Sequence, residues 1–192
     1  MNGNRHAQIV TDFGEVGHDM FLAGLVGSHS GNMSVLADGQ VVITRSGARL
    51  GRLAADDLVE FQLSGWDIPD KASSEVSAHL EVYATSDHLA VIHAHPANSI
   101  AVSLLEDDAE FMPRTLEACY YMPRVPIVDA PAGKAVEAAA DEIARKLVEH
   151  RVVIARGHGT YSAGASLEEA FQWTSVLEDA CKVALALNWA RL

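Results

Sequence analysis

The spacing of apolar positions divides the chain into alternating helical and extended stretches. Ile9, Phe13, Val16, Met20 and Leu25 recur near a helical period, which predicts an opening helix within residues 9–26. Gly24, Gly27 and Gly31 then loosen the backbone around Ser28, His29 and Ser30. Two apolar runs, 32–36 and 40–44, flank Ala37-Asp38-Gly39, and Asp-Gly in that setting is a strong hairpin signal. Residues 59–63 read as a further short strand. Residues 73–85 read as a helix whose serines are placed to cap its first turn. The run 89–94 is a short strand interrupted by His93 and closed by Pro96, with a helix following through Leu105. Residues 110–121 fit neither period. Residues 125–130 are strand-like, 135–149 form an amphipathic helix, and 152–155 form a strand ending in Arg156-Gly157-His158-Gly159. Ser166 with Glu169 makes a capping box that opens a long last helix to about Asn188.

Helices alternating with strands, plus one hairpin, predict an α/β fold in three layers: a central mixed or antiparallel sheet with helices on both faces. No repeat, low-complexity tract or linker divides the chain, so a single domain over residues 1–192 is expected, long enough to bury roughly 70% of its unfolded surface. Apolar residues make up 49% and charged residues 21%, a globular balance that argues against long disorder. Fourteen Lys and Arg against 26 Asp and Glu give a net charge of -12, which disfavours nucleic acid and anionic membranes as partners. No run of 18 apolar residues is present, and the start, MNGNRHAQIV, lacks the apolar core of a secretion signal. Cys119 and Cys181, 62 residues apart, make neither a disulfide framework nor a metal knuckle and are expected as small buried thiols in a reducing cytoplasm. Trp66, Trp173 and Trp189 are expected as core or interface anchors.

Nine histidines stand out, so any transition-metal site here would be histidine-based. In Val91-Ile92-His93-Ala94-His95-Pro96, strand alternation points His93 and His95 to one face at a strand's carboxyl end, where ligand sites gather in α/β sheets. Taken alone, such a pair is more often two ordinary strand-end histidines, by ~3 to 1. His158 tips the balance. Set between glycines after the 152–155 strand, it brings a third imidazole, and three neutral imidazoles leave a Zn²⁺ one open position, as catalytic sites do. Ser73-Ser74-Glu75 at a helix start offers hydroxyls and free N–H groups for an anion, with Glu75 beside it; as a local pattern it reads more readily as an ordinary capped helix. Asn32, Ser46 and Gly47 add small polar groups at strand ends, which in isolation read equally well as turn residues. His79, one turn after Glu75, is within reach of supporting the site but reads more readily as a helix-face histidine, and His6, His18, His88 and His150 read as surface or packing residues.

The order Gly31-Asn32-Met33-Ser34, Ile43-Thr44-Arg45-Ser46-Gly47, Ser73-Ser74-Glu75, His93-Ala94-His95 and Gly157-His158-Gly159 resembles the class II aldolase/adducin family from about residue 8 to 188. The resemblance implies Zn²⁺, or a related divalent ion such as Mn²⁺, Co²⁺ or Fe²⁺, on His93, His95 and His158. It implies Glu75 as acid/base, and a phosphate held by Asn32, Ser46, Gly47, Ser73 and Ser74. It further implies a homotetramer with sites at subunit interfaces and a small sugar phosphate as substrate: a ketose 1-phosphate, such as L-fuculose 1-phosphate, cleaved to dihydroxyacetone phosphate and an aldehyde through a metal-stabilised enediolate. None of Lys71, Lys134, Lys146 and Lys182 lies in a motif suited to imine chemistry. The same scaffold hosts pentulose-phosphate 4-epimerases, which have Asp where Glu75 stands, methylthioribulose-phosphate dehydratases, sugar-acid phosphate decarboxylases and the non-catalytic adducins, whose heads lack the metal set. Arg45 and His29 depart from the aldolase pattern. A family tyrosine that protonates the aldehyde oxygen has no clean match; Tyr120 and Tyr121 are candidates only by neighbourhood.

Overall fold

The computed structural model describes residues 3–65, 67–129 and 136–189, so Trp66, Ala130, Lys134, Ala135 and the Trp189 side chain lie outside the described residues. The opening helix α1 covers Gly3–Leu22 and ends before Leu25, which is buried from the following turn. The hairpin forms as expected: β1 (Asn32–Ala37) and β2 (Gln40–Thr44) meet antiparallel across Asp38-Gly39, both in the left-handed region. Then come β3 (Leu58–Gln62), α2 (Val76–Thr85), β4 (Ala90–Ala94) and α3 (Ala97–Leu105). The stretch with no clear period becomes a two-residue strand, β5 (Glu110–Phe111), and a short helix, α4 (Leu116–Tyr121). The chain continues through β6 (Val125–Val128), α5 (Ala140–Glu149), β7 (Val152–Ala155), β8 (Gly159–Gly164) and α6 (Leu167–Trp189).

Eight strands make one mixed sheet in the order β3-β2-β1-β4-β8-β7-β6-β5. β6 and β7 are the parallel pair, linked through α5, and the other neighbours run antiparallel. Successive β4 residues face opposite layers: Val91 joins the core under α2 and α5 with Val82, Ile143 and Leu147, while Ile92 joins the core under α1 with Phe13 and Met20. α3, α4 and the middle of α6 close the β6–β7 end through Val102, Ala118, Trp173 and Leu177. The expected α/β sandwich of helix, sheet and helix is therefore the observed one.

Two local expectations need correction. Residues 159–164 form a central strand that the apolar pattern does not announce, because Gly-Thr-Tyr-Ser-Ala-Gly has no run of large apolar residues. All six are buried, and small side chains suit a strand covered on both faces. Cys119 is exposed, since α4 lies on the surface; its thiol donates to the Pro113 carbonyl, while Cys181 is buried as expected.

Candidate metal centre

β4 sits in mid-sheet between β1 and β8, and its carboxyl end delivers His93, which is 1% exposed. His95 follows the last residue of β4, its backbone N–H donating to the Leu25 carbonyl, and Pro96 then turns the chain into α3. His158 arrives from the β7–β8 turn, where Gly157 takes a positive φ of 69°. Gly159 abuts β4 so closely that a Cβ would lie 2.2 Å from the Ala94 carbonyl oxygen and about 3 Å from both the His93 and His95 rings. The turn is clasped from outside by Arg156. Its guanidinium donates to the carbonyls of Ser103, Glu106 and Asp108 around the end of α3, and to Asp129 Oδ1 at 2.5 Å. Gly157 N–H also donates to Ser103 Oγ at 3.0 Å.

These elements bring four side chains to one point. His93 Nε2 lies 2.7 Å from His95 Nε2 and 3.1 Å from His158 Nε2, and the ligand atoms of the three histidines all lie within 4.8 Å of one another. The Glu75 carboxylate closes the group, with Oε1 3.0 Å from His158 Nε2 and Oε2 3.2 Å from His93 Nε2. His93 Nδ1 faces the Thr160 carbonyl at 3.0 Å, which makes Nδ1–H the donor and leaves Nε2 a bare lone pair aimed into the cluster. Burial drives the His93 pKa down to about 3 against the opposing pull of Glu75, and burial with the His158 charge lowers His95. Both rings are thus neutral bases near pH 7. Burial raises the Glu75 carboxyl, but the hydrogen bond with His158, the nearness of the His93 ring and the Asn32 amide outweigh it and hold the group well below the usual carboxylate range. Three imidazoles, two of them neutral, and a carboxylate converge on one point, a donor set that fits a divalent cation of Zn²⁺ type.

The residues expected around a phosphate divide in two. Asn32 opens β1 opposite His93 in register, is buried, and gives its Nδ2–H to Glu75 Oε2 at 2.9 Å. Ser46 and Gly47 are exposed in the loop after β2, and Ser73 and Ser74 precede α2. The helix begins three residues later than the sequence suggests: Ser73 Oγ accepts the Glu75 N–H, and Glu75 occupies the cap position without capping, its carboxylate committed to the histidines. Asn32, Ser46, Gly47, Ser73 and Ser74 line a cleft of about 170 Å³ that ends on Glu75, His93 and His95. Larger clefts lie elsewhere, one of about 760 Å³ at the opposite end of the sheet; chemistry rather than size singles out the small one. Arg45, also on the cleft, pairs with Asp57 at 2.7 Å, so its charge is largely offset. Tyr121 turns its ring onto Trp173, and Tyr120 is 80% exposed.

For His79 the less favoured of the two sequence readings fits the structure: it is fully buried beneath α2, with Nε2 2.6 Å from Asn32 Oδ1 and Nδ1 2.6 Å from Ser34 Oγ. The signal lay in spacing: Glu75, His79 and Tyr83 fall four residues apart on one face of α2, opposite alternate residues Asn32 and Ser34 of β1.

Residues 11–185 match the family model described as class II aldolase and adducin N-terminal domain. An L-fuculose phosphate aldolase of Methanococcus vannielii is 35% identical over 161 residues, covering 83% of this chain and 85% of that protein. A 3-oxo-tetronate 4-phosphate decarboxylase of Pectobacterium atrosepticum is 32% identical, covering 91% of this chain and 82% of that protein. Among solved structures, an L-fuculose-1-phosphate aldolase from Thermus thermophilus superposes with a TM-score of 0.90 at 34% identity, covering 96% of each chain.

Proposed function

The chain belongs to the class II aldolase and adducin family, and on that premise we propose that it is a zinc-dependent aldolase cleaving a short ketose 1-phosphate, such as L-fuculose 1-phosphate, to dihydroxyacetone phosphate and a small aldehyde. The observation that carries the reading is the convergence of His93, His95 and His158 with the Glu75 carboxylate at the end of a cleft rimmed by small polar groups.

His93, His95 and His158 would hold the cation, which when bound polarises the substrate's carbonyl and hydroxyl oxygens and offsets the negative charge that develops on the dihydroxyacetone phosphate fragment. The rest is done by the chain's own groups. Ser46, Gly47, Ser73 and Ser74 receive the phosphate at the mouth of α2, where serine hydroxyls and the helix dipole favour an anion, and Asn32 stands at the inner edge of the same cleft. That anchorage sets the sugar carbons next to Glu75. As a carboxylate, Glu75 takes a proton from the nucleophilic carbon of dihydroxyacetone phosphate in condensation and returns it there after cleavage. The active unit is read as a cytoplasmic homotetramer with sites at subunit interfaces. Exposed Leu104, Leu105, Met112, Leu116 and Tyr120 supply an apolar surface for it, and Leu104 lies against the turn that carries His158.

A second reading, decarboxylation of a sugar-acid phosphate, is favoured by the 32%-identical decarboxylase relative and uses the same site. One experiment separates the two: a panel of ketose 1-phosphates and of oxo-acid phosphates, assayed for dihydroxyacetone phosphate and for carbon dioxide, with and without chelator. Chelator-sensitive dihydroxyacetone phosphate release is expected. Carbon dioxide release without it would replace the aldolase reading by the second.

A further inference from the structure

A file of buried side chains runs from the histidine cluster into the core beneath α2. Glu75 Oε2 meets Asn32 Nδ2 at 2.9 Å; Asn32 Oδ1 meets His79 Nε2, His79 Nδ1 meets Ser34 Oγ, and Ser34 Oγ meets Tyr83 OH, each at 2.6 Å. Ser34 and His79 are without solvent exposure, and Asn32 and Tyr83 nearly so. Two side-chain rows close this file like the halves of a zip: residues 75, 79 and 83 along one face of α2, and residues 32 and 34 on one face of β1.

The carboxylate end fixes the direction of every proton. A carboxylate only accepts, so Asn32 must present its nitrogen to Glu75 and its oxygen to His79. That oxygen also only accepts, so His79 carries its proton on Nε2 and its Nδ1 accepts from Ser34. The single Ser34 proton is then committed, and Tyr83 must donate to Ser34. The groups form a one-way series of donors that ends on Glu75. Series of this kind polarise each member in turn, and among buried side chains they also lock orientation.

We propose that His79 is a positioning residue for Glu75: by holding the Asn32 carboxamide in one orientation, it keeps Glu75 Oε2 beside the histidine cluster. The inference rests on the reading of the cluster as a metal centre and of Glu75 as its acid/base. It also gives Asn32 a duty beyond the phosphate contact that the family resemblance implies.

Two substitutions of like polarity and different reach test it. The carboxamide of His79→Gln extends to where Nε2 stands and can still donate to Asn32; that of His79→Asn stops near Nδ1 and cannot. Zinc affinity, measured by chelator competition, is expected within about threefold of wild type for His79→Gln and about tenfold weaker for His79→Asn, in the range found for groups that orient metal ligands. kcat for dihydroxyacetone phosphate release should fall by about 10–100-fold in His79→Asn with KM nearly unchanged. In a Glu75→Gln background the difference between the two His79 variants in zinc affinity should vanish, since it acts through that carboxylate. A merely structural histidine would lower the melting temperature of both variants and leave that coupling at zero. Equal zinc affinity for His79→Gln and His79→Asn overturns the proposal, as does a difference that persists without Glu75. If neither variant folds, Tyr83→Phe decides: several-fold weaker zinc binding supports the file and unchanged binding overturns it. A wild type that binds zinc no better than His93→Ala overturns both the proposal and the metal-centre reading. A wild type that binds zinc but releases no dihydroxyacetone phosphate overturns only the aldolase reading, and the zinc series still decides the role of His79.

Discussion

Glu75 and the three imidazoles meet in a space where none of them can be replaced by a residue of the same size without a specific loss. Glu75→Gln keeps the shape and the Asn32 neighbour but removes the basic oxygen. It should still load zinc at stoichiometric concentration, bound about tenfold more weakly, while kcat falls by about 10²–10⁴. Near-normal turnover in that variant would remove Glu75 from the acid/base role. His93→Ala should lose both zinc and activity. The buried imidazoles also set a pH dependence. Burial lowers the His79 pKa from 6.5 to about 4 and the His93 pKa to about 3, so both are neutral in the folded chain while the unfolded chain takes up protons below pH 6.5. The unfolded state then binds more protons, and stability, full above pH 6.5, falls as the pH drops from 6.5 towards 4 and below. Melting temperatures of the metal-free protein between pH 7.5 and 4.5 should decline accordingly, and His79→Gln should flatten the slope; a flat wild-type curve would contradict neutral burial of these rings.

At the level of elements, β8 matters most and was least legible. Its six residues carry little apolar bulk, and the sequence pattern stops at the 152–155 strand. Yet β8 pairs with β4 through five residues, faces His93 with Tyr161, whose ring stacks at 4.3 Å, and supplies the Thr160 carbonyl that fixes the His93 tautomer. Gly159→Ala tests this closeness. A Cβ there meets a backbone oxygen rather than a flexible side chain, so β8 must shift away from β4. Overpacking of that kind should destabilise by roughly 1–3 kcal/mol and displace His158 relative to His93. A fall in melting temperature together with weaker zinc binding is the expected result; unchanged values would mean that the strand end yields freely. What the sequence made plain were features with a local cause: the Asp38-Gly39 turn, the alternation that sets His93 and His95 side by side, and Ser166, whose Oγ accepts the Glu169 N–H at the start of α6. The role of Arg156 was illegible and that of His79 only hinted at by its spacing from Glu75, because each is defined by partners dozens of residues away.

For the whole molecule, the acidic charge of -12 and the exposed apolar residues of α3 and α4, with Met112 between them in the chain, pull in different directions. Surface carboxylates keep the chain dispersed, whereas exposed apolar side chains favour association with another copy. Light scattering should give a mass about four times the 20.6 kDa of one chain, and Leu116→Arg, at a position 89% exposed, should reduce it. A wild type of monomer mass would remove the tetramer from the reading. No described helix is long and apolar enough to cross a membrane.

α3 has a further consequence for how this site can change over time. Its amino end grows directly from His95-Pro96 and is gripped by Glu178, whose carboxylate accepts from the backbone and side chains of Asn98 and Ser99 at 2.8–2.9 Å. Its carboxyl end is held by Arg156, two residues before His158. The helix is thus a strut of fixed length between the segments that carry two of the three imidazoles. Point substitutions on its outer side leave that length untouched. Deleting one residue would turn one end against the other by about 100° and shorten the strut by about 1.5 Å, parting Arg156 from its carbonyls. Residues 97–105 should accept many replacements but no change of length, and variation in loop size among working descendants of this chain should collect outside that interval.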